Sequence, residues 1–177
     1  MGTKLRDKVN YVKRLTPRRS WNAAKVLSSF YWSRWTGKPR QWGWPISMAI
    51  EPTTACNLGC PECPSGLKMF TRPTGNLKTD AFRSFLDETA KHLSYLTFYF
   101  QGEPYINPDF LKMVRMASDR NIYTATSTNA HFISKETAQQ TIESGLDRMI
   151  ISIDGTTQEV YEQYRKGGSL ERVLEGT

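Results

Sequence analysis

The chain has 177 residues, enough for one domain with an apolar core, and 38% of them are hydrophobic, which excludes wholesale disorder. Its formal charge of +7 is unevenly distributed. Residues 1–40 hold eleven Lys or Arg and a single acid, Asp7, whereas the rest of the chain holds thirteen Lys or Arg and sixteen acids. Attraction to nucleic acid or to anionic lipid is therefore expected of the leading segment alone.

The cysteine content and the hydropathy indicate the compartment. No apolar run reaches the length of about eighteen residues that a transmembrane helix needs, and the first residues lack the pattern of a secretory signal. Three cysteines fall close together, an odd number that cannot form a complete set of intrachain disulfides and that suits a reducing compartment. These features predict a cytoplasmic protein whose cysteines act as ligands.

The first predicted element is an aromatic-rich amphipathic helix that runs from Trp21 to Trp35. Val26 and Phe30 share one broad face with these two tryptophans. The segment is expected to be a helical extension packed on the domain, and the alternative, suggested by its basic flanks, is a helix that docks on a membrane surface or on a partner protein.

Beyond this helix, short β-rich segments alternate with helical periodicity, which is typical of stacked βα units and a parallel sheet. Four strands are predicted, roughly over residues 47–53, 95–101, 122–127 and 148–153. The later strands start about 26 residues apart, which accommodates a strand, a helix and two loops. We therefore divide the chain into a basic helical extension, residues 1–44, and an α/β domain, residues 45–177.

Two helices between these strands have specific end signals. The helix before the third strand takes Asn107 as its cap, with Pro108 at the first helical position. The helix before the fourth strand starts from a Ser134 cap, contributes Ile142 to the core and ends at Gly145.

The cysteines have the spacing CxxxCxxC, reading Cys-Asn-Leu-Gly-Cys-Pro-Glu-Cys, on the loop that follows the first strand. In parallel βα architectures, ligands collect at the carboxyl ends of the strands. Three thiolates can hold three irons of a four-iron, four-sulfur cube and leave one iron free to bind a substrate or cofactor. Cys56, Cys60 and Cys63 are therefore predicted to be metal ligands.

The alternative for the cysteines is a tetrahedral zinc site, which needs a fourth ligand and usually shows paired CxxC or Cys/His spacing. The histidines available are His92 and His131, and neither lies near the loop in sequence. In this alternative the chain is a zinc-stabilised module without catalysis, and its basic, tryptophan-containing segment docks on nucleic acid or membrane.

The second predicted strand ends in a Gly-Glu-Pro turn formed by Gly102, Glu103 and Pro104. A glycine lets the backbone approach a ligand, a carboxylate can accept hydrogen bonds from an ammonium group, and a proline stiffens the turn. The turn is therefore a candidate cofactor site, and the alternative is an ordinary connection between a strand and a loop.

Polar residues also end the third and fourth predicted strands. Ser127 and Asn129 lie at the end of the third strand, and Ser152 and Asp154 lie at the end of the fourth. Their side chains can pair with ribose hydroxyls or with a carboxylate, although such residues are also common in loops because they satisfy free backbone groups. The alternation of strands and helices predicts that all these groups meet on one rim of the sheet.

The cysteine motif after the first strand resembles the identifying motif of the radical S-adenosylmethionine (radical SAM) superfamily. The resemblance covers about residues 47–177, and it implies that the cysteines hold a [4Fe-4S] cluster whose unique iron binds the amino and carboxylate groups of S-adenosylmethionine. The Gly-Glu-Pro turn is similar to the family element that receives the methionyl amino group. Residues 51–66 resemble members with a C-terminal SPASM extension, although Glu62 stands where the family often has an aromatic residue.

The resemblance implies an enzyme that passes one electron into S-adenosylmethionine and cleaves it to methionine and a 5′-deoxyadenosyl radical, which abstracts hydrogen from a substrate. It also implies an electron donor. The sequence identifies neither the substrate nor a catalytic side chain, and modification of a peptide or protein is the expectation at the level of the family.

The expected fold is α/β, a partial parallel (βα) barrel of the radical SAM type with the basic helical extension in front. Family members usually have six βα units, whereas four are counted here before a final apolar helical pattern at Leu170, Val173 and Leu174. The chain is therefore expected to lack the last units of the barrel, with an unpaired strand edge where they would pair.

Overall fold

The protein contains a four-stranded parallel sheet with helices packed against it. A computed structural model describes the backbone of residues 2–177 and the side chains of residues 5–177. The elements in chain order are α1 (Gly2–Lys13), α2 (Pro17–Thr36), β1 (Ser47–Ala49), α3 (Thr79–Thr89), β2 (Tyr95–Thr97), a short 3₁₀ helix (Pro104–Ile106), α4 (Phe110–Asp119), β3 (Tyr123–Thr128), α5 (Lys135–Glu143), β4 (Arg148–Ile151), α6 (Gln158–Tyr164) and α7 (Leu170–Glu175). The strands pair in the order β1-β2-β3-β4. The predicted α/β fold with four parallel strands is confirmed.

The apolar core lies between the sheet and helices α3 and α4. Phe82 and Leu86 of α3 and Phe110 and Val114 of α4 lie one helical turn apart in each helix, so each pair faces the sheet together. They pack against Phe98 and its neighbours at the end of β2, and all five side chains are buried. This packing fixes the strand ends from which the loops of the site emerge.

The first two strands are shorter than predicted. β1 ends at Ala49 and β2 ends at Thr97, whereas the predictions extended to residues 53 and 101. After β1 the chain turns, and Thr53 pairs with Asn76 in an isolated antiparallel bridge. The residues lost from the strands therefore belong to the loops at the carboxyl edge of the sheet.

The prediction that Asn107 caps α4 is wrong. Helix α4 begins at Phe110, with Asp109 as its cap residue. The side-chain oxygen of Asn107 accepts a hydrogen bond from the Asp109 amide at 2.9 Å, while its NH₂ group donates to the carbonyl oxygens of Pro52, at 2.7 Å, and Leu77, at 3.1 Å. One buried side chain therefore bonds the turn in front of α4 and also joins two other loops.

The predicted ends of α5 are confirmed, but its predicted apolar contact is wrong. Ser134 and Thr137 form a reciprocal capping box, and Gly145 follows the helix in a left-handed conformation. Ile142, expected in the core, is 79% exposed, and Thr141 is buried in its place. The hydroxyl of Thr141 donates to the carbonyl of Thr137 at 2.7 Å, so this polar side chain is satisfied inside the helix.

Helix α2 packs on the domain through its polar side. Trp21, Phe30 and Trp35, which were predicted to share one broad face, are 67%, 56% and 81% exposed. The buried residues of α2 are Arg19, Asn22 and Ser29. Hydrophobicity therefore does not decide which side of this helix faces the domain.

Arg19 explains this orientation because its guanidinium satisfies carbonyl oxygens at the ends of two core helices. It donates to Ala90, which caps α3, and to Arg120, which caps α4, each at 2.8 Å. It also donates to the carbonyl of Asn121 and, at 2.8 Å, to that of Arg14. Burial, with a smaller contribution from the charge of Arg14, lowers the pKa of Arg19.

Helix α1, which the sequence analysis did not predict, covers the starts of the central strands. Tyr11 packs against Tyr95 and Tyr123, with ring centroids 6.1 Å and 5.7 Å away. Arg14 pairs with the carboxylate of Asp147, just before β4, at 3.0 Å. The basic extension is thus attached to the amino edge of the sheet, the edge opposite the cysteine loop.

These contacts cross the predicted boundary of the extension. The division of the chain into one unit of residues 1–44 and another of residues 45–177 stays a prediction. Among the helices of residues 2–177, none combines the length and the apolar character needed to cross a bilayer.

The loop after β2 touches the loop after β1 at Gly102. Gly102 has a φ of +77°, and a Cβ atom at this position would lie 2.2 Å from the carbonyl oxygen of Thr53. The amide of Glu103 donates to the carbonyl of Ala55 at 2.8 Å. Glycine is therefore required here, both for the left-handed backbone and for the close approach that joins the cysteine loop to the Gly-Glu-Pro turn.

We expect Arg19→Met to lower the free energy of unfolding by about 2–4 kcal/mol, because several buried carbonyl oxygens would lose their charged donor. Urea unfolding followed by circular dichroism measures the change. The control is Arg18→Met, which replaces the exposed neighbour and is expected to stay within about 0.5 kcal/mol of the parent. Equal stability of the two variants would contradict the anchoring role of Arg19.

We also expect Gly102→Ala to destabilise the protein more than Gly167→Ala does. Both glycines have a φ of +77°, but a Cβ at Gly167 would have no neighbour within 4 Å. The left-handed backbone penalty of about 1–2 kcal/mol is common to both variants, and only Gly102→Ala adds the collision with Thr53. Equal losses of unfolding free energy in the two variants would contradict the close contact between the two loops at Gly102.

Candidate functional site

A cavity of about 160 Å³ lies at the carboxyl edge of the sheet. Its wall contains all three cysteines together with most of the predicted polar residues. The predicted residues in the wall are Cys56, Cys60, Cys63, Gly102, Glu103, Ser127, Asn129 and Ser152. The structure thus brings into one place groups that are separated by almost one hundred residues in the chain.

The three cysteines are free thiols on a tightly turned loop. Cys60 is buried, whereas Cys56 and Cys63 are partly exposed. The loop closes over Cys60 at Gly66, where a Cβ atom would lie only 2.5 Å from the Cys60 amide nitrogen. Burial raises the pKa of the Cys56 thiol, so a positively charged centre beside it is needed to favour the thiolate that binds metal.

The described side chains do not form a site for a single metal ion. Among residues 5–177, no three His, Cys, Asp or Glu side chains are grouped in that way. His131 accepts a hydrogen bond at Nε2 from the amide of Ser169 at 2.9 Å, and His92 stacks on Trp44. A [4Fe-4S] cluster has other requirements, because each cysteine binds a different iron.

Glu103 is a buried carboxylate, 2% exposed, that joins the ends of β2 and β3. Its oxygens accept hydrogen bonds from the Thr128 hydroxyl at 2.7 Å, the Asn129 amide at 2.8 Å and the Tyr105 amide at 3.3 Å. Burial raises the pKa of Glu103, and these hydrogen bonds oppose the shift. A carboxylate can accept about four hydrogen bonds, so one acceptor position remains for a ligand in the cavity.

The ends of β3 and β4 contribute a pair of hydroxyls and an amide to the cavity wall. The side-chain oxygens of Ser127 and Ser152 lie 3.2 Å apart. The side-chain amide of Asn129 donates to Asn57 at 2.8 Å and contacts the sulfur of Cys56 at 3.9 Å. Asn129 therefore links the end of β3 to the cysteine loop.

Two predicted site residues lie outside the cavity wall. Pro104 is buried at the start of the 3₁₀ helix. Asp154 accepts a hydrogen bond from Nε of Arg165, and Arg165 does line the cavity. Any contribution of these two residues to ligand binding is therefore indirect.

Arg165 is a wall residue that the sequence analysis missed. Its guanidinium lies 3.8 Å from the sulfur of Cys60 and pairs with Asp154. Burial disfavours its charge, but Asp154 and Cys60 outweigh this effect and raise the pKa of Arg165. No motif marks this arginine, which caps the carboxyl end of α6, far from the cysteines in sequence.

Gln101 is a second missed residue of the wall. Its side-chain oxygen accepts a hydrogen bond from Ser65 at 3.1 Å and lies 3.4 Å from the sulfur of Cys63. Its position directly before the Gly-Glu-Pro turn was the available signal. A polar side chain at the end of a strand that bears a candidate site is expected to face the same cavity.

Comparisons with known proteins agree with this geometry. The sequence model of the Radical SAM superfamily matches residues 50–177. Over 133 residues the chain is 32% identical to the AdoMet-dependent heme synthase of Methanosarcina barkeri, covering 75% of this chain and 38% of that protein. It is 34% identical over 125 residues to the mycofactocin maturase MftC of Mycobacterium ulcerans, covering 71% of this chain and 33% of that protein.

A third relative is the PqqA peptide cyclase of Rhodopseudomonas palustris, 32% identical over 127 residues that cover 71% of this chain and 33% of the cyclase. The chain therefore spans between 33% and 38% of the length of these relatives.

Solved structures show the same fold. Streptococcus suis SuiB bound to S-adenosylmethionine superposes with a TM-score of 0.56 at 21% identity, over 68% of this chain and 28% of SuiB. BtrN in complex with AdoMet and 2-DOIA gives a TM-score of 0.55 at 18% identity, over 75% of this chain and 55% of BtrN.

The family match covers most of the chain and includes the cysteine loop and all strand ends that line the cavity. The family consists of enzymes that use a [4Fe-4S] cluster and S-adenosylmethionine, which confirms the cofactors expected from the sequence. The chain belongs to the Radical SAM superfamily.

Proposed function

We propose that Cys56, Cys60 and Cys63 hold a [4Fe-4S] cluster and that the adjoining cavity wall holds S-adenosylmethionine. The observation that carries the proposal is that the cysteines and the polar strand ends line one cavity at the carboxyl edge of the sheet. The whole protein would then be a radical SAM enzyme, with this chain supplying the cofactor site.

The three cysteine thiols suit a [4Fe-4S] cluster. Three thiols can bind three irons and leave the fourth iron to the cofactor. When bound, the cluster and S-adenosylmethionine supply one-electron cleavage of a carbon–sulfur bond, which starts hydrogen abstraction from the substrate. Arg165 donates toward the sulfur of Cys60, and hydrogen bonds to cluster sulfurs are one means by which proteins adjust reduction potential.

The polar wall would bind and orient S-adenosylmethionine. The remaining acceptor position of Glu103 suits the methionyl ammonium group, and Gly102 lets the backbone approach it without a side chain in the way. Ser127, Asn129 and Ser152 present hydroxyls and an amide that suit the ribose hydroxyls or the carboxylate. Because the wall side chains are hydrogen-bonded to one another, the site is largely formed before the ligand arrives.

Pro104 and Asp154 would act by positioning. Pro104 begins the 3₁₀ helix directly after Glu103 and stiffens the turn that places this carboxylate. Asp154 holds the guanidinium of Arg165 against the cysteine loop.

We further propose a peptide or protein substrate, a separate electron donor and a cytoplasmic location. The peptide substrate is supported by similarity to a PqqA peptide cyclase and by the fold shared with SuiB, which has been solved bound to the precursor peptide SuiA. The free thiols of the cysteine loop suit a reducing compartment.

We expect each of Cys56→Ala, Cys60→Ala and Cys63→Ala to lose most of the cluster iron after anaerobic reconstitution, because each variant removes the ligand of one iron. Iron content, visible absorbance and electron paramagnetic resonance of the reduced protein measure the cluster, and release of 5′-deoxyadenosine measures cleavage of S-adenosylmethionine. The control is Glu62→Ala, which changes an exposed residue inside the same motif. Zinc in place of iron, or a cluster retained by all three variants, would contradict the proposal.

We expect Glu103→Gln to keep the iron content and to weaken S-adenosylmethionine binding about tenfold, since a hydrogen bond to a charged group contributes about 1.5 kcal/mol or more. Equilibrium dialysis of the reconstituted protein with labelled S-adenosylmethionine measures the dissociation constant. Thr128→Val removes a partner of Glu103 but keeps the carboxylate, so it is expected to have the smaller effect. An unchanged dissociation constant in Glu103→Gln would show that this carboxylate does not face the ligand.

A further inference from the structure

Helix α2 turns a continuous aromatic face away from the domain. We define the aromatic face by Trp21, Leu27, Tyr31, Trp32 and Trp35. These side chains are between 44% and 81% exposed. At 100° per residue they occupy the side of the helix opposite its buried polar residues. The usual arrangement of an amphipathic helix on a globular domain is thus reversed.

The segment after α2 extends this face. Trp42 packs beside Trp32 with ring centroids 6.0 Å apart, and Trp32 also forms an edge-to-face pair with Trp35 at 5.8 Å. Trp44, which is 52% exposed, does not join the face, because its backbone bonds the buried Asn22 of α2 and its ring stacks on His92. All five tryptophans of the chain therefore fall between residues 21 and 44, and each of them is partly or largely exposed.

The aromatic face is surrounded by uncompensated positive charge. The sequence contains no Asp or Glu from residue 8 to residue 50. The basic side chains of α2 and the following segment that surround the face are Arg18, Lys25, Arg34, Lys38 and Arg40. Within residues 5–177, none of these five forms an ion pair with an acidic side chain. The surface therefore combines exposed tryptophan with a positive field.

This combination matches the interface of a lipid bilayer. Tryptophan and tyrosine favour the headgroup level, and basic side chains on the flanks are attracted to anionic lipids. Single-stranded nucleic acid is bound in grooves that track its backbone, whereas this surface is a convex helix face that includes leucine. The chemistry thus favours lipid over nucleic acid.

We propose that the aromatic face of α2, extended by Trp42, docks this protein on the surface of an anionic phospholipid membrane. The helix would lie in the interface without crossing the bilayer, because its opposite side is held on the domain by polar contacts.

The surface lies outside the part of the chain that matches the family, which begins at residue 50. Docking would therefore be a property of this protein's own extension. The anchor of α2, Arg19, contacts the amino edge of the sheet, whereas the cavity opens at the carboxyl edge. Docking would leave the cavity mouth accessible, and it does not depend on the proposed cofactor chemistry.

Flotation with vesicles tests the proposal. We expect the protein to float with vesicles of phosphatidylcholine containing about one third phosphatidylglycerol, to float poorly with pure phosphatidylcholine, and to be released as salt rises because the attraction is screened. Tryptophan emission is expected to shift to the blue on binding, since the indole rings leave water.

The double variant Trp32→Ser/Trp35→Ser is expected to lose at least tenfold in partitioning while keeping its circular dichroism spectrum, because the changed side chains are exposed. Arg34→Gln/Lys38→Gln should weaken binding to anionic vesicles and leave the weak binding to phosphatidylcholine unchanged. The matched control is Ile142→Ser, which removes an apolar side chain that is 79% exposed on α5 and should change nothing.

Three results would overturn the proposal. The first is equal flotation of the parent and the tryptophan double variant. The second is tighter, salt-sensitive binding to a single-stranded oligonucleotide than to anionic vesicles. The third is a dimer of the parent in light scattering that the double variant abolishes, with no flotation of either protein, which would assign the aromatic face to a second copy of the chain.

Discussion

The buried carboxylate of Glu103 unites the loops on which the cavity depends. Removing a carboxylate from water is unfavourable unless donors compensate, and here the donors come from Thr128 and Asn129 at the end of β3 and from the turn after β2. Satisfying this charge therefore forces two neighbouring strand ends into one arrangement. The same constraint reaches the cysteine loop, because the Asn129 side chain contacts Cys56 and the backbone amide of Glu103 donates to the carbonyl of Ala55.

The two edges of the sheet have different roles, one facing the cavity and the other attaching the basic extension. At the carboxyl edge, short loops leave polar groups free to face a ligand, as in other parallel βα folds. At the amino edge, the last carbonyl oxygens of α3 and α4 need donors, and Arg19 of the extension supplies them. The extension is thus a structural part of the domain at one edge, although it stands outside the family match. The aromatic side of α2 is left exposed as a result.

The sequence predicted the order of elements and most of the cavity wall, because βα alternation fixes which loops share an edge and the cysteine spacing marks one of them. It failed where long-range polar contacts override local patterns. Asn107 bonds the nearby Asp109 amide, but α4 begins two residues later than predicted, and the NH₂ group of Asn107 bonds Pro52 and Leu77. The apolar pattern of α2 did not reveal which side packs on the domain, and the polar side is buried because Arg19 meets carbonyl oxygens that are distant in sequence. Arg165 was missed for the same reason, since only folding brings it to Cys60.

All five N–H groups of the Arg19 guanidinium are engaged, shared among the carbonyls of Arg14, Ala90, Arg120 and Asn121. Because every donor of this side chain is used, any shift of α2 along the domain would break some of these hydrogen bonds. Helix α2 is therefore held in a fixed position on the domain. If a bilayer bound the indole rings of α2, it would also fix the orientation of the sheet relative to the membrane. The direction from which a large substrate reaches the cavity would then be set by the structure.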